Sequence, residues 1–174
     1  MNKNELIEAL QELDVQLSSN CDLILIGGAA MILHFGASRA THDVDMLVIH
    51  SDIADLRRAI KAVAQQRDLP EDWINDAAKG FADILPPDFD RRLTPLDLSL
   101  QHLRLFALGI PEQAAMKIVA LREQDLEDLE LLLPRIVDAD KDVLRSIMQQ
   151  VNKFRPDWAL RIKYFLEERG WQIE

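Results

Sequence analysis

Asp43 and Asp45 stand one residue apart in the stretch HDVDMLVI, residues 42–49. On a strand, alternate side chains share a face, so the two carboxylates project together while Val44 and Met46 turn toward apolar packing. Carboxylates that close repel one another, and a divalent cation removes the conflict. Magnesium, which takes one or two carboxylates plus the oxygens of a bound phosphate, suits that pair. Upstream, the apolar run LILI, residues 23–26, ends in Gly27 and Gly28 and passes into a helical pattern. A glycine turn of that kind lets backbone N–H groups approach an anion closely. A magnesium-bound triphosphate uses both features.

These residues need elements to hold them. Leu6, Leu10, Leu13 and Leu17 recur at helical spacing, so an amphipathic helix spans about residues 3–17. Residues 23–26 are too short a run for a helix and read as a buried strand. A short helix follows over 29–35, stopped by Gly36, and a second strand covers 44–49. A helix over about 52–66 completes a strand–helix–strand–helix order, which indicates an α/β domain. The stretch beginning LPEDWIND at residue 69 reads as the start of a short helix, and Pro86-Pro87 enforces a loop. Residues 93–100 and 103–108 read as strands, the first an edge strand because of Pro95. From Pro111 the pattern is helical to the end, broken at Pro134 and Pro156. The expected organisation is an α/β core over 1–110 with a helical part, 111–174, packed on it.

Composition narrows the function classes. With 20 basic and 30 acidic residues among 174, the net charge is −10. That opposes nucleic-acid binding by broad phosphate neutralisation but permits a local basic pocket. Cys21 is the one cysteine, so no internal disulfide forms, which fits a reducing compartment. No apolar run is long enough to cross a bilayer and no signal-peptide pattern opens the chain, so a cytoplasmic, membrane-free protein is expected.

The ordered set Gly27-Gly28, Arg39, Thr41 and Asp43-Val44-Asp45 resembles the opening motif of the DNA polymerase-beta-type nucleotidyltransferase superfamily. Within it, the pattern is most similar to the AbiEii-type toxin nucleotidyltransferases and their bacterial relatives. A second block, PEQAAMK at 111–117 followed by REQDLEDL at 122–129, resembles that group's later motifs. The resemblance implies an α/β (α+β) fold: a mixed sheet with flanking helices and a helical C-terminal part. It also implies one or two magnesium ions on Asp43 and Asp45, with Gly27, Gly28, Arg39 and Thr41 at the nucleotide. Lys117 and Arg122 would serve the phosphates, and Asp125 would orient Lys117 or act on the acceptor. Were residues 111–133 one helix, Lys117, Leu121, Asp125 and Asp128 would share a face. Many superfamily members carry a third carboxylate on a later strand, and Asp97 is the strand candidate here. The stretch from Asp72 to Phe81, with Trp73 in it, also resembles a feature of the bacterial relatives, with no chemistry assigned to it.

Three functions follow as expectations. The first is an enzyme transferring a nucleoside monophosphate from a nucleoside triphosphate to an RNA or protein acceptor, in the setting of a toxin–antitoxin system. The absence of a basic track weighs against RNA. The second is an inactive nucleotide-binding or partner-binding module of the same fold. The third is an antitoxin-like partner whose acidic surface caps a basic protein. Asp138, Asp140 and Asp142 resemble a calcium loop but lack its glycine and its final glutamate, so they read as solvated surface. The four histidines show no zinc spacing, and Cys21 has no neighbouring base. Trp73, Trp158 and Trp171 read as packing residues.

Overall fold

A computed structural model describes residues 1–76 and 79–172 of the chain. In chain order the elements are α1 (Lys3–Gln16), β1 (Cys21–Leu25), α2 (Gly27–Ala30, continued by a π-helical turn over Met31–Phe35), β2 (Val44–His50), α3 (Ile53–Arg67), β3 (Ile74–Asn75), α4 (Lys79–Ala82), β4 (Thr94–Leu96), β5 (Leu103–Ala107), α5 (Ile110–Ala120), α6 (Glu123–Leu132), α7 (Asp138–Asn152) and α8 (Pro156–Glu167). They fall into two compact units. The first comprises Met1–Lys79 and Leu93–Ala107, the second Gly80–Arg92 and Leu108–Glu174.

In the first unit, α1 starts where Asn2 caps it. The Asn2 side chain accepts from the backbone N–H groups of Asn4 and Glu5, and Glu5 accepts in return from the Asn2 N–H. Leu6, Leu10 and Leu13 form its fully buried face. The strands make one mixed sheet of order β3-β2-β1-β5-β4. β1 lies at its centre and every residue of it is buried, as a strand covered on both faces must be. It pairs antiparallel with β2 and parallel with β5, while β4 runs antiparallel to β5 at the edge. Asp14, a buried α1 carboxylate, accepts from the N–H groups of Gln101, His102 and Leu103 at 2.9, 2.7 and 2.7 Å. It fixes where β5 begins.

Two expectations about the middle of the chain are corrected. The stretch from residue 69 does not open a helix. It turns at 71–73 and enters β3, with Trp73 and Ile74 both buried. Val44 donates its N–H to the Trp73 carbonyl at 2.8 Å, and the indole N–H of Trp73 reaches the Ile60 carbonyl at 3.1 Å. Adjacent bulky apolar residues are both covered more readily in extended chain than on a helix whose other face is wet. The strand expected over 93–100 shrinks to Thr94–Leu96, with Pro95 on the sheet edge as Pro requires. Asp97 ends it by accepting from the Ser99 N–H at 3.0 Å, and Ser99 adopts φ +57°. Ala77 and Ala78, within the Trp73–Phe81 stretch, lie outside the described residues.

The second unit is helical around Leu129, Leu132, Leu144, Ile147, Val151, Ile162 and Leu166, all buried. Residues 111–133 are not one helix. α5 stops at Leu121, which takes a left-handed φ of +46°, and α6 restarts at Glu123. Leu121 is exposed while Lys117, Asp125 and Asp128 are buried, so the four do not share a face as a continuous helix would give. Pro134 sits in a short 3-10 turn and Pro156 opens α8, both breaks as read. Asp138, Asp140 and Asp142 fall in the first turns of α7, with Asp138 paired to Lys141 at 2.7 Å.

Near the start of α5, Glu112 is fully buried. Its Oε1 accepts from Arg92 at 2.6 Å, and Arg92 also binds Asp88 at 2.9 and 3.0 Å. Its Oε2 has no hydrogen-bond partner. Burial therefore pushes the carboxyl above its usual range, against the pull of Arg92. A raised folded-state pKa means that folding favours the protonated form. The stabilisation is full below the ordinary value of 4.5 and is lost as pH rises through the raised one. Glu112→Gln is expected to flatten this dependence. Urea midpoints between about pH 4 and pH 7 should diverge less in the variant than in the wild type, and an unchanged divergence would show that Glu112 does not titrate in that window.

Candidate functional site

β1 delivers the chain to Gly27, and β2 brings Asp45 back beside it. Ile26 donates its N–H to the Asp45 carbonyl at 3.0 Å, which sets the two segments edge to edge. Gly27 takes φ +59°, and a β-carbon there would lie 3.0 Å from Asp45 Oδ2. Only glycine combines that backbone angle with so close a carboxylate. A β-carbon on Gly28 would lie 2.7 Å from Thr41 Oγ1, 3.2 Å from Thr41 Cβ and 3.3 Å from Arg39 Nη1. The glycine turn, Asp45, Thr41 and Arg39 are thus one constellation.

Thr41 shapes the loop that presents the first aspartate. It is buried, its hydroxyl donates to the Asp43 carbonyl at 2.9 Å, and its N–H donates to the Met1 carbonyl at 2.9 Å. The Met1 amine donates back to the Thr41 carbonyl. Asp43 lies just before β2 and is exposed; Asp45 is half-buried. β3 stands beside β2 with Asn75 in register with Asp45, so their side chains share a face of the sheet. The Asn75 amide donates to Asp43 Oδ2 at 3.4 Å and to the Asp72 carbonyl at 3.2 Å. Both carboxylates therefore flank Asn75. The sequence reading missed Asn75 and the Trp73 carbonyl that holds Val44. Their signal was two bulky apolar residues bracketed by Asp72 and Asn75, the mark of a short strand rather than of a helix.

Asp97 does not join them. The C-terminal ends of β1 and β5 and the N-terminal ends of β2 and β4 share one end of the sheet. Asp97 follows the C-terminal end of β4, at the opposite end, and is occupied with Ser99. Among the described residues, no group of three or more His, Cys, Asp and Glu is placed to hold a metal. His42 is exposed beside Asp43, and Cys21 is buried in β1.

Gly28→Ala tests the turn. The added methyl meets Thr41, which the Met1 bonds hold in place, and overpacking of this kind costs about 1–3 kcal/mol. A lowered urea midpoint is expected; an unchanged one would mean that the loop gives way freely.

In the second unit Lys117 is held between two carboxylates, with its ammonium 2.7 Å from Asp125 Oδ1 and 2.7 Å from Asp128 Oδ2. All three side chains are at most 8% exposed. Asp125 uses its other oxygen to accept from the Arg122 backbone N–H at 2.9 Å. The left-handed Leu121 turns the chain so that α6 brings Asp125 and Asp128 to Lys117. The Arg122 side chain is exposed, and its part in the cluster is its backbone.

A five-stranded mixed sheet with flanking helices, a glycine turn at the end of its central strand and an acidic pair at the start of the next strand define a nucleotidyltransferase-like fold. Residues 4–168 match the family described as "Nucleotidyltransferase of unknown function (DUF6036)", and the chain belongs to that family. No curated protein and no solved structure matches it.

Proposed function

We propose that the protein is a metal-dependent nucleotidyltransferase that moves a nucleoside monophosphate from a nucleoside triphosphate to an acceptor. The observation that carries this reading is the Asp45 carboxylate lying against Gly27, with Arg39 and Thr41 over Gly28. The donor set fits magnesium. Asp43 and Asp45 supply hard oxygen ligands on one sheet face, and substrate phosphate oxygens would complete the shell. Magnesium bound there would neutralise charge developing at the α-phosphate. Gly27 and Gly28 would seat the β- and γ-phosphates by close backbone approach, and Arg39 would neutralise them. In the second unit, Asp125 and Asp128 fix the ammonium of Lys117, which the resemblance assigns to the nucleotide together with Arg122. During transfer the acceptor oxygen bonds to the α-phosphorus, the bond to the α–β bridging oxygen breaks, and pyrophosphate leaves.

The resemblance to AbiEii-type toxins supports an RNA or protein acceptor, a partner protein and a cytoplasmic, bacterial setting. No helix of the described residues is long and apolar enough to cross a membrane. Incubation with each labelled nucleoside triphosphate and magnesium tests the reading. Pyrophosphate release with labelling of a macromolecule supports it. Nucleotide affinity without turnover would favour an inactive binding module, a reading motivated by Asp97 lying at the far end of the sheet.

A further inference from the structure

The first unit contains an opening at the start of α1. Its volume is about 430 Å3, and it is walled by Asn2, Lys3 and Asn4 at the start of α1 and by Ser38 and Arg39 of the loop after Gly36, over Ile32. That volume lies in the range of about 300–1,000 Å3 usual for small-molecule sites. In a chain with 30 acidic residues and a net charge of −10, no acidic residue lines it, while two cations do. Glu5, the nearest carboxylate in sequence, is turned to the Asn2 N–H at 2.8 Å.

The two walls are fixed to each other. Met1 and Thr41 exchange backbone hydrogen bonds, which ties the start of α1 to the motif loop. Gly36, at φ +83°, ends the π-helical turn and sends residues 37–39 back toward α1. Arg39 belongs to both places. Its Nη1 is 3.3 Å from where a Gly28 β-carbon would stand, and the residue also lines the opening. Arg39 therefore stands between the opening and the glycine turn.

We propose that this opening binds a phosphate monoester of nucleotide size, and that it is the seat of the acceptor's phosphate-bearing end. Lys3 and Arg39 meet the phosphate, and the amides of Asn2 and Asn4 with the Ser38 hydroxyl meet the polar sugar or base. The assignment to the acceptor rests on the transfer reading above. The pocket itself does not.

The test titrates the full chain with the 5′-monophosphate of each ribonucleoside and with the matching nucleoside. Magnesium is kept saturating, each titration is run with and without a non-hydrolysable triphosphate analogue, and the analogue's own affinity is measured separately. At least one monophosphate should bind while its nucleoside does not. Lys3→Glu should weaken that binding at least tenfold and leave the analogue's affinity unchanged. Lys3 is exposed at the first turn of α1, where an acidic residue suits the helix, so the variant folds. Asp45→Asn should weaken the analogue and spare the monophosphate. Equal monophosphate affinity in wild type and Lys3→Glu would overturn the pocket, as would displacement of the monophosphate by the analogue. If the analogue fails to bind even the wild type, the transfer reading falls, and the Lys3→Glu comparison still decides the pocket.

Discussion

Asp45→Asn is expected to abolish the magnesium-dependent part of triphosphate binding while leaving the fold intact. The amide is isosteric, so no cavity opens, and the Ile26 bond to the residue 45 carbonyl involves only the backbone. A ligand that binds only the folded state stabilises it by RT ln(1 + [L]/Kd), about 2.7 kcal/mol at a hundredfold excess over Kd. For a chain of this length that is a rise in Tm of roughly 5–10 °C. The wild type should show it with magnesium and the correct triphosphate together, and the variant should not. Turnover should fall at least about 100-fold, since even residues that only support metal ligands cost 10–100-fold when changed. Asp138→Asn, whose carboxylate is 96% exposed, should behave as the wild type. Equal thermal shifts in wild type and Asp45→Asn would mean that the acidic pair is not the metal site.

Lys117→Met should cost far more stability than any surface change. The substitution keeps the side-chain length but leaves Asp125 and Asp128 buried without their cation. Removing one partner of a buried ion pair typically costs 3–5 kcal/mol, because the remaining charge is uncompensated. Here two carboxylates share one ammonium, so a loss of about 3–5 kcal/mol in the unfolding free energy is expected. Adding Asp125→Asn and Asp128→Asn to Lys117→Met should restore much of it by discharging the cluster. If the single variant unfolds at the wild-type urea concentration, the triad contributes nothing to folding. If the triple variant is no better than the single, the cost lies in packing rather than in charge.

The fold was legible wherever a signal was local. Leu6, Leu10 and Leu13 marked α1, Gly36 stopped the segment after Gly27, and Pro95 placed β4 at the edge. The opening motif was legible because its residues are close in sequence and two of them are glycines that crowding demands. What stayed hidden depended on partners far along the chain. β3 is two residues long and exists because Trp73 is buried and its carbonyl bonds to Val44. No window centred on residues 69–76 contains that information. Lys117 and its carboxylates met by a different route from the expected one. Their spacing suggested a continuous helix, yet the contact depends on a left-handed Leu121, a conformation that leucine's composition does not announce. Arg92 lies in no motif and Glu112 sits in the PEQAAMK block with no role assigned to it, so their pairing emerges only from burial.

The order of synthesis acquires a meaning from the way the first unit is divided. Its central strand, β1, emerges early and finds β2 quickly, but its parallel neighbour β5 arrives some eighty positions later. Until then one edge of an apolar strand, complete with unpaired N–H and C=O groups, faces outward, the situation in which nascent chains stick to one another. Closing a loop of that length is slow, and parallel pairing rewards it only at the end. Asp14 is ready in α1 well before, and it receives the amides of Gln101, His102 and Leu103 as they appear. A single carboxylate in the first helix thus works as the docking point for the last strand, the one that covers the vulnerable edge.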